Sequence, residues 1–198
     1  MKHLWITGRV AYGMWTTLAD PVTIGLAGRA GFEYTCIDLQ HGLATYAELP
    51  TILRFLEAAP TTPIVRVPAN ETAAITRALD LGARGVVVPM INTPADAARA
   101  VAAARYPALP ADDGPADPTS QIGERSWGPI FADLDGVAVT DDDNAAISVI
   151  IMIETAQALA NAEEIAAVPG VSALYVGPND LALSMGYGRA TYRTEPVL

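Results

Sequence analysis

Four side chains able to hold charge or move protons stand in or just after short apolar runs of this chain: His41, Arg66, Glu154 and Asp180. Glu154 closes the run Ser148-Val-Ile-Ile-Met-Ile-Glu, and Asp180 closes Ala173-Leu-Tyr-Val-Gly-Pro-Asn-Asp 26 residues later. Two hard oxygen donors at the ends of successive strands read as ligands for a divalent cation. The alternative is that each carboxylate only caps the helix behind it. His41, in Asp38-Leu-Gln-His-Gly, stands at a strand's mouth, where an imidazole can move protons near neutral pH, although a lone histidine is more often structural. Arg66 lies inside Ile64-Val-Arg-Val, where a permanent charge needs an anion: either a substrate carboxylate gripped bidentately, or Asp38 or Glu154 as an internal partner.

The elements that must position these groups alternate between strand and helix. Near-continuous apolar runs predict buried parallel strands over 10–17, 34–40, 63–68, 85–91, 148–153 and 173–180, the last broken by Gly177 and Pro178. Between them, helical spacing and capping signals predict helices over 21–31, 45–59, 71–81, 93–106 and 155–168, with Asp20-Pro21 and Thr93-Pro94 as starts and Gly82 as a stop. The stretch 107–121, rich in Pro, Asp and Gly, reads as a surface loop; 122–144 carries a Trp127-Gly-Pro turn and an acidic run at 141–143 read as a solvated face. No clear strand follows residue 181. Parallel strands joined by helices imply right-handed crossovers, in a barrel or a doubly wound sheet. The Gly-x-Gly-x-x-Gly turn typical of the second is absent, and candidate groups fall after several strands, as they do in barrels.

Composition narrows the function. At 198 residues, with 51% hydrophobic against 17% charged, the chain is a globular domain rather than a disordered one. A formal charge of −10 argues against a nucleic-acid partner. No apolar run approaches the roughly 20 residues of a membrane span, so a cytoplasmic location and no membrane partner are the expectation. The single Cys36, inside a strand, reads as a core residue.

The ordered pieces Gly13-Met-Trp, Ala30-Gly-Phe, Ile37-Asp-Leu-Gln-His-Gly, Val65-Arg-Val-Pro, Leu79-Asp-Leu-Gly, Val88-Pro-Met, Ile153-Glu-Thr and Val176-Gly-Pro-Asn-Asp-Leu resemble the HpcH/HpaI aldolase family, metal-dependent class II aldolases of 2-oxo acids. The resemblance implies an α/β fold, a (β/α)₈ TIM barrel. It implies that Glu154 and Asp180 hold Mg²⁺, Mn²⁺ or Co²⁺, that Arg66 steadies the 2-oxo acid and its enolate, and that His41 serves in a proton relay. Gly177, Pro178 and Asn179 fall in the substrate-binding turn, and Asp80 matches an aspartate that supports the histidine across a subunit contact. A cation chelated by the substrate's carboxylate and ketone would stabilise an enolate without a covalent lysine. Lys2 is the sole lysine, which excludes a Schiff-base route.

Three departures stand out. Gln40 precedes the histidine where many relatives carry glutamate, Phe131 stands where a family loop often has arginine, and two further strand–helix units of the family are missing. The expectation is one barrel domain over 1–198, truncated after its sixth strand, with apolar edges that favour a homo-oligomer. The activity expected is cleavage or formation of a carbon–carbon bond in a 4-hydroxy-2-oxo acid, such as a 2-dehydro-3-deoxyaldarate, giving pyruvate and an aldehyde. The alternatives are a citrate-lyase-like enzyme acting on an acyl-CoA, disfavoured by the charge of −10, and a catalytically silent barrel subunit.

Overall fold

The computed structural model of the chain describes residues 2–107, 123–128 and 141–187. Six strands form one parallel sheet in sequence order: β1 Gly13–Thr16, β2 Tyr34–Asp38, β3 Thr62–Arg66, β4 Gly85–Val88, β5 Ser148–Ile153 and β6 Ala173–Val176. The helices are α1 Lys2–Ile6, α2 Pro21–Ala27, α3 Leu49–Glu57, α4 Thr72–Asp80, α5 Pro94–Ala104, α6 Asp141–Ala146, α7 Ala156–Ala160, α8 Ala162–Ala166 and α9 Pro178–Ser184. The sheet curls as half of a barrel. Among the described residues β1 and β6 each have one neighbour, so both are edges.

The period-two alternation of strands sorts each run into two apolar clusters. Ile37, Val65, Val86, Val88, Val149, Ile151 and Ile153 point outward and pack under the helices. Cys36, Ile64, Val87, Ile150 and Met152 point to the concave face, with Trp15, Tyr34 and Tyr175 packed against them. Burial on both faces is why the β5 run shows no polar alternation. The same parity carries Asp38, Arg66 and Glu154 onto the concave face at the C-terminal ends of β2, β3 and β5. Burial pushes the Cys36 thiol pKa far up, which suits a core residue rather than a nucleophile.

Most helix starts follow their sequence signals. Asp20 accepts the Thr23 N–H at 2.7 Å ahead of Pro21, and Thr93 and Asp96 form a complete capping box. On α3 the buried Leu49, Ile52, Leu53 and Leu56 make an apolar stripe against the sheet, each contributing roughly 1.5–3 kcal/mol.

Four details depart from the sequence reading. Every strand but β5 is shorter than its apolar run; β4 stops at Val88, where Pro89 cannot continue the ladder. The helix expected over 155–168 breaks into α7 and α8 at Asn161, with φ −101° and ψ 9°. The acidic run at 141–143, read only as a solvated face, opens a helix, α6. Asp180 does not end a strand: β6 closes at Val176, and Asp180 sits in the first turn of α9. The expected loop at 107–121, beyond its first residue, and Phe131 lie outside the described residues.

Candidate active site

The turn that ends β2 organises one side of the site. Asp38 Oδ1 accepts the backbone N–H of Gln40 at 3.0 Å and of His41 at 3.1 Å, folding the chain back over its own carboxylate. The turn is tight enough that a Cβ on Gly42 would meet the Asp38 carbonyl oxygen at 2.0 Å. Asp38 and Arg66 are register partners on adjacent strands, and the guanidinium takes both carboxylate oxygens: Nε to Oδ1 at 2.8 Å, and Nη2 to Oδ2. Trp15 completes the group. Its indole N–H donates to Asp38 Oδ2 at 3.3 Å, its ring lies 5.0 Å from the Arg66 guanidinium, and its other neighbour is Tyr175, with ring centroids 5.0 Å apart. Of the readings open for Arg66, the internal pair with Asp38 is therefore realised.

Asp38 and Arg66 are 1% and 7% exposed. Burial pushes the Asp38 carboxyl pKa up, but the hydrogen bonds from Arg66, the His41 amide and Trp15 outweigh it and hold the pKa below the usual range. With the folded-state pKa below the unfolded one, the pair contributes fully above about pH 4 and loses that stability as pH falls through the folded value. Asp38→Ala would strand a buried guanidinium, so we expect a loss of roughly 3–5 kcal/mol in denaturant unfolding at pH 7, shrinking toward acid pH. An unchanged unfolding midpoint at pH 7 would contradict this role.

Glu154, the first residue beyond β5, is 2% exposed, and Oε1 accepts the Met90 N–H at 2.6 Å. It is not a helix cap; Thr155 is, accepting from the Ala158 N–H. Burial raises the Glu154 carboxyl pKa and the nearby Asp180 charge raises it further, against the Met90 N–H, Arg66 and His41. The other oxygen, Oε2, lies against Gly177, where a Cβ would come within 2.9 Å of it. Gly177, Pro178, Asn179 and Asp180 line, with Arg66, a cavity of about 220 Å³ whose apolar side is Trp15, Met152 and Tyr175. Gly177 is the N-cap of α9, so Asp180 caps nothing and remains exposed at the cavity.

His41 is exposed and bound to this group through its own amide. Gln40 Oε1 is buried with no hydrogen-bond partner among the described residues. Asp80 is elsewhere. It ends α4, before the N-terminal end of β4, and takes Arg125 Nη2 at 2.7 Å and Nε at 3.2 Å, while Arg125 lies 4.4 Å from the Tyr106 ring. Within one chain Asp80 and His41 are on opposite ends of the strands. Sequence reasoning missed Trp15 and the Met90 amide, and saw Asp38 only as one possible partner of Arg66; parity with Cys36 was the available signal for Asp38.

Carboxylates, a guanidinium and a histidine at the C-terminal mouth of a parallel half-barrel define a β/α-barrel protein with a candidate site where such barrels carry theirs. Residues 11–197 match the HpcH/HpaI aldolase/citrate lyase family, and the chain belongs to it. It is 36% identical over 178 residues to a hydroxypyruvate/pyruvate aldolase of Paraburkholderia phytofirmans, covering 89% of this chain and 66% of that one. It is 39% identical over 182 residues to a 4-hydroxy-2-oxovalerate aldolase of Novosphingobium aromaticivorans, covering 90% and 64%. The crystal structure of a family member from Burkholderia cenocepacia superposes with a TM-score of 0.80 at 34% identity, over 94% of this chain and 71% of that one. The chain thus spans about two thirds of the length of these curated relatives. No helix among the described residues is long and apolar enough to cross a membrane.

Proposed function

We propose that this chain carries the cation- and 2-oxo-acid-binding part of a carbon–carbon lyase that splits a 4-hydroxy-2-oxo acid into pyruvate and an aldehyde. One observation carries the reading: a buried carboxylate, Glu154, keeps one oxygen against Gly177, which lines a cavity together with Arg66 and Asp180. The names of the relatives, both aldolases of 2-oxo acids, support it.

The residues fit a divalent cation. Glu154 is desolvated and faces the like charge of Asp180, a combination that a cation between them would relieve. Among the described residues no cluster of three or more His, Cys, Asp or Glu is arranged for a metal. Two carboxylates with the other positions left to water and substrate oxygens is the coordination Mg²⁺ or Mn²⁺ commonly accepts. A cation held there supplies Lewis-acid polarisation of the substrate's C2 carbonyl.

The chain's own groups then divide the work. Asp38 takes Nε and Nη2 of Arg66 and fixes the guanidinium plane, so that the remaining edge meets the substrate's carboxylate or C2 oxygen. Trp15, Met152 and Tyr175 exclude water from the apolar side. His41 relays both the proton that leaves the C4 hydroxyl as the C3–C4 bond breaks and the proton that returns to C3 to complete the methyl group of pyruvate.

The test needs no knowledge of the aldehyde. With a divalent cation present, solvent deuterium should enter the methyl group of pyruvate, followed by NMR. A chain that binds pyruvate yet exchanges no methyl proton above background would contradict the proposal.

A further inference from the structure

Asn92 lies in the loop between β4 and α5, and each of its polar groups has a partner. Its backbone N–H donates to Asp96 Oδ2 at 3.1 Å, and its side-chain Nδ2 donates to the Met90 carbonyl at 3.3 Å. Its Oδ1 accepts from the Thr155 hydroxyl, and its carbonyl accepts from Asn161 Nδ2 at 2.8 Å. The loop is thereby tied to the first turn of α5, to the residue immediately after Glu154 and to the break between α7 and α8.

What the clasp encloses is a strained amide. Met90 has φ +56°, and it is the only non-glycine residue with positive φ among the described residues. An L side chain leaves that region unless its surroundings hold it there. In that conformation the Met90 N–H reaches Glu154 Oε1 at 2.6 Å. The clasp also asks for an amide side chain. The Thr155 hydroxyl accepts the Ala158 N–H at 3.0 Å and gives its one proton to Asn92 Oδ1, which turns Nδ2 toward the Met90 carbonyl.

We propose that Asn92 is a positioning residue for Glu154: by holding Met90 and Thr155 together it keeps the left-handed Met90 amide on Oε1 and leaves Oε2 against Gly177, a residue of the cavity lining. The inference rests on the reading of Glu154 as a cation ligand. It deepens that reading by assigning the carboxylate's orientation to a residue that touches neither cation nor substrate.

The experiment is a double-mutant cycle on the whole chain with Asn92→Ala, Met90→Gly and the pair together. Two quantities are read: hydrogen-exchange protection of the residue-90 amide by NMR without metal, and the dissociation constant for Mn²⁺ by calorimetry without substrate. Asn92→Ala alone should lower the protection and weaken Mn²⁺ binding about 10-fold or more, the range for losing a group that orients a metal ligand. In the Met90→Gly background the same change should do little to either, because glycine adopts φ +56° without penalty. A residue that only stiffened the loop would behave oppositely, its loss growing worse beside a more flexible neighbour. Wild-type amide protection in Asn92→Ala, or a double variant no better than Asn92→Ala alone, overturns the inference. If wild-type chain shows no saturable, Glu154-dependent Mn²⁺ binding, the cation reading fails instead, and amide protection still decides the clasp.

Discussion

Glu154→Gln and Asp180→Asn are each expected to reduce cation-dependent pyruvate release to background while leaving the fold intact. On the proposed reading each change removes an anionic oxygen from the pair that would hold a hard cation, and an amide is a much weaker donor to Mg²⁺ or Mn²⁺. The fold should tolerate both. Glu154 has a raised carboxyl pKa, so its ionised form costs the folded state stability above that pKa; a neutral glutamine removes the cost and can still accept the Met90 N–H. Without cation at neutral pH, Glu154→Gln should therefore unfold at the same temperature as wild type or higher. Asp180 is exposed in the first turn of α9, and its loss leaves no buried group unpaired. Turnover near the wild-type rate at saturating cation would remove that residue from the ligand set.

His41→Ala is expected to slow proton transfer by about 10²- to 10⁴-fold, the range for a positioned general acid–base group. Binding should change little, since His41 is exposed and its structural bond to Asp38 comes from the backbone amide, which alanine retains. Cation affinity and pyruvate affinity should stay near wild type while methyl-proton exchange collapses. Exchange at the wild-type rate would take the imidazole out of the relay. A joint loss of exchange and pyruvate binding would instead give His41 a binding role.

The order and direction of the strands were legible because burial on both faces leaves a continuous apolar signature, as in Val149 through Ile153. Capping chemistry placed the starts of α2 and α5. Glu154, Arg66 and the Gly177 turn were legible for a related reason: a charge or a break inside such a run has few structural excuses. Their assembly was not. Which carboxylate Arg66 takes depends on strand register, and the register that sets Asp38 opposite Arg66 comes from packing across β2 and β3. The left-handed Met90 carried no sequence signal, since neither glycine nor asparagine occupies the position. Asp80 was legible as a helix-end carboxylate, whereas its pairing with Arg125, 45 residues away, is a long-range contact that local patterns do not encode.

The measurement that bears most directly on the central claim is pyruvate release from a panel of 4-hydroxy-2-oxo acids, with added Mg²⁺ or Mn²⁺ and with a chelator. Release is expected from at least one member of the panel, abolished by the chelator and restored by excess cation. Release that persists undiminished in the chelator, or a folded, cation-binding chain that releases none from any member, would contradict that claim.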